Sequence, residues 1–482
     1  MATKIHTIDE IKKIDLTTGN LFLKMGLFSI PFGLTTFITL LNSTITLIFV
    51  KMFGGGATSV SAVSSTTTLT LLVTVLFTYL GGGVSILVSN NIGAHKEDFA
   101  KKIMHTSLLL AVIFGIVILL IGYFMTPTLL SWIGTNEEYV EDATLYMHIY
   151  FLAFPLEIIY LYITRIFNAM GDSRTPFLVL LGSLLTNTLF SFIFIYCAKL
   201  DVLGLSLAYV LANTIACITM IILLIKNKKF GLNLSFRELR FDKEALASIV
   251  KVGLPIGIQR LMFAIPGFFV QSALYKIADG NIAMLNGAFA AGTLSSYLFC
   301  FVEGITEAVL TMTALNYGAK EKDNIKKIIR YGIYWSLIIN AICSLVVLFA
   351  YRPLLLLLVS EESVEYGKQR MWIITFTYIL CSLTDIFANA LKGMKHTTSM
   401  LITSLCTSCV FRIIYAQFIA TNIEPLRNLY GLYAVFGLGW VICLLLNIIC
   451  YIVIARKDFK RLDEEKQKEV SENNLNQTGV IA

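Results

Sequence analysis

Charge is what this chain has least of. Only 14% of its 482 residues are Asp, Glu, Lys or Arg, against roughly 25% in soluble domains. Histidine (5) and proline (8) are sparse too. No HExxH, no paired histidines and no Gly-rich phosphate loop occur, which removes the usual signatures of a metalloenzyme or nucleotide-binding enzyme. Alternating segments of about ten residues, the mark of a membrane barrel, are missing. Residues 1–20 are polar and carry no short apolar core with a cleavage site, so no signal peptide is expected. All nine cysteines fall in apolar runs, Cys406 and Cys409 on one helix. They read as small packing residues, not as disulfides or a metal site.

What is present is apolar: 56% of residues are hydrophobic and mean hydropathy is +0.76. A membrane helix needs about 20 apolar residues. Twelve stretches qualify, at 22–50, 57–88, 104–126, 141–168, 175–197, 203–226, 246–276, 283–314, 328–351, 366–391, 398–420 and 430–455. The longer ones imply tilt or protruding ends. An all-α integral membrane protein with twelve transmembrane helices is therefore expected.

Lys and Arg mark alternate loops. One set holds Lys96, Lys101 and Lys102, then 226–243, then Lys320, Lys322, Lys326, Lys327 and Arg330, then Arg456, Lys457, Lys460 and Arg461. The other set is poor in them: 127–140 has none, and 357–365 carries Glu361, Glu362 and Glu365. By the positive-inside rule the basic loops and both termini are cytoplasmic, in a multi-pass protein of the cytoplasmic (cell inner, plasma) membrane. The net charge of +7 then reports topology, and no nucleic-acid partner is implied.

The chain repeats itself. Residues 90–103 read NNIGAHKEDFAKKI, and 225 positions later 315–328 read LNYGAKEKDNIKKI. Gly93 and Gly318 recur in register, each in a polar elbow between apolar runs. Pro31 and Pro255 open the halves 224 residues apart. Six spans per half enter the bilayer in one orientation, so the repeat axis runs along the membrane normal, a plan common among secondary transporters. The expected segments are an N-terminal stretch 1–20, an N-lobe 21–226, an inter-lobe loop 227–244, a C-lobe 245–456 and a disordered tail 457–482. Segments 97–104 and 322–330 read as interfacial amphipathic pieces. The hydroxyls of span two, Ser59 to Thr74, are richer than packing requires and suggest a wet wall, although small polar residues also pack helices closely. Gly81-Gly82-Gly83 permits bending or close contact there.

Several charges lie inside the spans: Glu157, Arg260, Glu303, Glu307, Asp385 and Arg412. Each costs roughly 2.5–3.5 kcal/mol at the bilayer centre, so they must face each other or water. Glu303 and Glu307 are four apart and share a helix face. Three acids against two bases, Arg260 and Arg412, leave one carboxylate of raised proton affinity in the second half. Glu307, helped by Glu303 and Asp385, is the candidate for exchanging a proton or sodium ion against a cationic substrate. Buried ion networks that only lock helices are the alternative. Glu157 follows Pro155 and serves either a bend or an ion. Phe32, Phe37, Tyr160, Tyr162, Phe263, Phe268 and Tyr297 offer π-faces to a lipophilic cation, with Met262 as a deformable neighbour.

These elements together resemble the multidrug and toxic-compound extrusion (MATE) family. The resemblance rests on Phe167-Asn168-Ala169-Met170-Gly171-Asp172-Ser173-Arg174-Thr175-Pro176 after span four, with its partner Ala390 to Lys395. Gly54-Gly55, Gly204 to Ala208, Gly253-Leu254-Pro255 and the duplicated elbow add to it, over about 20–455. It implies two pseudo-symmetric six-helix lobes forming a V around a central cavity, and antiport of organic cations or drugs against sodium ions or protons. No other cofactor is implied; the partners are a small-molecule substrate and the lipid bilayer, and a monomer is expected. The sequence departs from the family where many bacterial members carry N-lobe acids. Thr46 stands at the first-span aspartate position, Asn187 is kept, Ser191 replaces the next aspartate and Phe263 falls near a seventh-span glutamate. An N-lobe polar site of Glu157, Asn187, Thr46, Ser191 and Asn42 is what remains. Gly93, Gly318, Gly171, Asp172, Arg174 and Pro176 are assigned to structural elbows. The competing reading is a flippase for a lipid-linked oligosaccharide or other anionic amphiphile, with Arg260 and Arg412 as its phosphate pair. A membrane-embedded enzyme or a channel has less support.

Overall fold

The computed structural model describes residues 16–53, 57–132 and 139–479; at some helical positions, Thr46 and residues 57–61 among them, only the backbone is described. Twelve helices follow one another: α1 Leu21–Phe53, α2 Ala57–Gly93, α3 Glu97–Trp132, α4 Val140–Ala169, α5 Arg174–Cys197, α6 Asp201–Ile225, α7 Lys243–Ala278, α8 Ile282–Gly318, α9 Lys322–Leu356, α10 Glu361–Gly393, α11 Thr397–Ile419 and α12 Leu429–Gly479. All twelve contain a stretch long and apolar enough to cross a membrane. Phe124, Trp132, Phe349 and Phe418 stand well exposed on their helices, as side chains do when lipid replaces water as solvent.

The polar elbows end their helices in one way. At the end of α2 the His95 amide bonds to the Ile92 carbonyl and the Lys96 amide to the Asn91 carbonyl; at the end of α8 Lys320 and Glu321 repeat both bonds to Tyr317 and Asn316. These pairs form a Schellman termination, which needs a left-handed residue. His95 (φ 54°) and Lys320 (φ 59°) supply it, as do Gly171 (φ 76°) and Lys395 (φ 67°) after α4 and α10. A non-glycine residue there costs roughly 1–2 kcal/mol, so three of the four elbows carry strain that glycine avoids at Gly171. Asp172 then caps α5: its carboxylate accepts from the Arg174 and Thr175 amides and from the Thr175 hydroxyl.

The α2 and α8 elbows also meet. A methyl placed on Gly93 would run into the Leu315 carbonyl, and one on Gly318 into the Asn90 carbonyl. The two contacts are related by the same shift of 225 residues as the sequence repeat. Asn90 adds a bond from its amide to the Gly393 carbonyl, 3.0 Å.

The described residues form two compact units. The first holds Leu27–Val88 and Glu97–Leu261; the second holds the described parts of Asp15–Gly26, Ser89–Lys96 and Met262–Ala482. Leu21–Gly26 of α1 groups with the second unit and Lys243–Leu261 of α7 with the first. In the first unit, Gly253 and Gly257 of α7 form a GxxxG stripe that brings its backbone against Leu76, Leu80 and Gly83 of α2. The loop before α7 is tied to α3 by Lys101–Glu238 (2.7 Å) and Lys102–Asp242 (3.2 Å). In the second unit, Asn316 and Asn324 bind the Leu16 and Thr17 carbonyls. The Trp335 indole donates to the Phe22 carbonyl at 3.0 Å.

Two expectations give way. Residues 97–104 and 322–330 are the first turns of α3 and α9, not separate interfacial pieces. The tail expected as disordered from 457 continues α12 to Gly479. Asp463 and Glu465 pair there with Lys322 and Lys320, and Lys466 with Glu321, so alternating charge holds the helix to the α8–α9 elbow. Among the hydroxyls of span two, Thr66, Thr70 and Thr74 are buried and donate back to carbonyls three or four residues earlier. That is the packing role, and the side chains of Ser59, Ser61, Ser64, Ser65, Thr67 and Thr68 lie outside the described residues.

Candidate functional site

In the first unit, Glu157 on α4 has tyrosines for neighbours. The Tyr209 hydroxyl of α6 donates to its Oε2 at 2.7 Å. Tyr150 is a second hydrogen-bonding partner and stacks on Tyr209, centroids 5.6 Å apart and planes 22° apart. Tyr146 lies close enough to feel the carboxylate's charge, and Thr74 of α2 is within hydrogen-bonding reach of Tyr150. No salt bridge to Glu157 occurs among the described residues. A carboxylate held by hydroxyl donors and ringed by π-faces, with no base among its described neighbours, has the chemistry to receive a cation or a proton. Helix α4 is brought close to α3 by Gly115, which leaves room for the Pro155 backbone.

Sequence reasoning named Glu157 but missed the tyrosines. Positions 146, 150 and 157 are spaced by four and seven, which puts all three on one face of α4; that signal was available. Tyr209 comes from another helix and had none.

Further buried polar atoms lie on α5. Asn187 donates to Asn42 Oδ1 at 3.0 Å, and both Asn187 Oδ1 and Ser191 Oγ are buried without a hydrogen-bond partner. The two orphans are four residues apart on one helix face. Immediately beyond Ser191 the helix widens into a π turn, Phe192–Cys197. The side chain of Thr46 lies outside the described residues.

The second unit holds the other expected charges. Glu303 is exposed and Glu307 and Asp385 are partly buried. The Cys381 thiol approaches Asp385 at 3.8 Å. Arg412 is only 8% exposed, sits between two π-helical stretches of α11 and packs over the Phe436 ring at 4.7 Å. Its Nε has no hydrogen-bond partner. Arg260 belongs to the first unit and lies over the Tyr79 ring at 4.5 Å. Glu303, Glu307, Asp385 and Arg412 belong to the second unit. Of the aromatic candidates, Tyr162 is fully buried and donates to the Phe77 carbonyl, a packing role.

A helical membrane protein built from two copies of a six-span half, with carboxylates set inside its spans, is in the class of secondary transporters. The MatE family model matches residues 31–193 and again 255–418, once in each half. The chain belongs to the MatE family of membrane transporters. It is 26% identical over 382 residues to the probable multidrug resistance protein YoeA of Bacillus subtilis, covering 77% of this chain and 80% of that one. It is 22% identical over 433 residues to the multidrug export protein MepA of Staphylococcus saprophyticus, covering 90% and 92%. A MOP superfamily transporter structure from Pyrococcus furiosus has the same fold, with a TM-score of 0.83 at 20% identity over 93% of this chain and 98% of that one.

Proposed function

We propose that this chain exports organic cations across the cytoplasmic membrane in exchange for sodium ions or protons, with its basic loops and both termini on the cytoplasmic side. The observation that carries this reading is Glu157: a carboxylate within a membrane span, met by tyrosine hydroxyls and by no base among the described residues. On insertion scales such a group costs roughly 2.5–3.5 kcal/mol. Hydrogen bonds to a charged group return about 1.5–3 kcal/mol each, so the tyrosines hold the carboxylate in place without neutralising it. A proton, a sodium ion or an organic cation completes the charge, and only one of them at a time. That exclusivity is the physical core of antiport. Asn187 Oδ1 and Ser191 Oγ supply further oxygens suited to a hard cation. Glu307, Glu303 and Asp385 form a second set of carboxylates, and Glu157 now leads it. The names multidrug resistance protein and multidrug export protein borne by YoeA and MepA agree with such a substrate class. The anionic-amphiphile reading would use Arg260 and Arg412 as its phosphate pair; each lies over an aromatic ring.

The test is efflux of a cationic dye from proteoliposomes under separate sodium and pH gradients. Glu157→Gln is expected to lower ion-driven efflux at least tenfold, the Asp variant less. Unchanged ion-driven efflux by Glu157→Gln would remove this residue from coupling.

A further inference from the structure

At the end of the second unit away from the basic loops, α7 and α11 flank a cavity of about 830 Å³. Two cations line it, Lys276 and Arg427, together with Gln417, Asn422, Phe269 and Phe418; no carboxylate is among its lining residues. Lys276 Nζ donates to Gln417 Oε1 at 2.9 Å, and Gln417 Nε2 in turn donates to the Phe269 carbonyl at 2.7 Å. The amide is thus fixed with its oxygen toward the lysine, which is positioned by a neutral acceptor. Neither Lys276 nor Arg427 enters an ion pair among the described residues, and the acids nearest in sequence, Asp279 and Glu424, do not line the cavity.

The polarity is graded along the membrane normal. Lys276 stands two residues before the end of α7, and Asn422 and Arg427 lie in the link between α11 and α12. Phe269 is two turns earlier on α7, about 10 Å deeper at 1.5 Å per residue. Phe418 is 65% exposed beside it. Cations at the mouth and aromatic walls toward the bilayer core complement an amphiphile with an anionic head. Other cations at this end of the unit are paired, Arg352 with Glu361 and Lys368 with Glu365, whereas Lys276 and Arg427 are left to face the cavity.

We propose that this cavity holds an anionic phospholipid of the surrounding bilayer, its phosphate between Lys276 and Arg427 and an acyl chain along Phe269 and Phe418. The site is separate from the carboxylates of the transport reading, and its failure would leave that reading untouched. The full chain in phosphatidylcholine nanodiscs, with or without phosphatidylglycerol, is examined by native mass spectrometry and by thermal unfolding. Phosphatidylglycerol should be retained and should raise the unfolding temperature of the unmutated protein more than phosphatidylcholine does, a comparison that needs no variant. Lys276→Gln with Arg427→Gln should weaken retention about tenfold or more, the scale expected for removing two cations near the surface, whereas Lys276→Arg with Arg427→Lys should keep it. Equal retention of both lipids, or retention undiminished by the Gln pair, overturns the proposal. So does equal stabilisation by millimolar inorganic phosphate, which would make the site one for a free anion.

Discussion

Glu157 in the first unit and Arg412 in the second are mirror cases: an acid among tyrosines without a base, and a base among rings and thiols, neither in an ion pair among the described residues. Arg412 sits between two π turns of α11, and a π turn also interrupts α5, the fifth span of each half. π segments recur at functional positions because they free carbonyls and shift a side chain's direction. The elbows, by contrast, are alike to the hydrogen bond. Duplication has therefore kept the joints that terminate and align helices while letting the polar residues within the spans diverge.

The largest effect expected of any change that breaks this comparison is at the joint. Gly93→Ala and Gly318→Ala each push a methyl into a backbone carbonyl that cannot swing aside, and each should cost about 3 kcal/mol or more. Because the contacts are equivalent, the two losses in thermal stability should agree within about 0.5 kcal/mol; a large asymmetry would show that the halves do not share this joint. Next come the interiors. Tyr209→Phe removes the 2.7 Å bond to Glu157 and should cost about 1.5–3 kcal/mol of coupling, seen as a roughly tenfold drop in ion-driven efflux with little change in stability. Arg412→Met keeps the packing over Phe436 and removes an unsatisfied buried cation, so stability should stay level or rise by about 1 kcal/mol. Severe destabilisation would mean that Arg412 does have an anionic partner.

The smallest effect concerns the loop before α7. Lys101 beside Glu238 holds that carboxyl below its usual value, and the Ala245 amide with Lys102 does the same for Asp242. A depressed folded-state value means the stabilisation is present above the unfolded value and lost as pH falls through the folded one, here below about pH 4. Hydrogen exchange across 227–244 should quicken modestly on acidification through that range, and no change would remove these pairs as anchors.

Twelve spans could be read from the sequence because lipid demands about 20 apolar residues at a stretch, and the repeat because its elbow residues recur in register. The Glu157 face was half legible: Tyr146 and Tyr150 share its helical stripe, but Tyr209 enters from α6 and no local pattern points to it. The exchange of opening stretches by α1 and α7 was not legible. A polar loop gives no sign in sequence of which helix it will hydrogen-bond, and Lys101, Lys102, Glu238 and Asp242 look like any charged linker until they are paired. The tail failed for a related reason. Its composition suits a solvated coil, but Asp463, Glu465 and Lys466 find partners on the α8–α9 elbow. Arg412 shows the limit of counting charges, since a buried guanidinium can rest on a ring instead of an acid.

The contact of Gly93 with Leu315 and of Gly318 with Asn90 is one surface used twice, each side serving as both knob and socket. Such a surface is isologous in the sense used for twofold dimers. A polypeptide bearing only one half would have no mate for it except another molecule of itself. Joining the halves on one strand thus turns a self-association into an internal contact, free of any dependence on concentration.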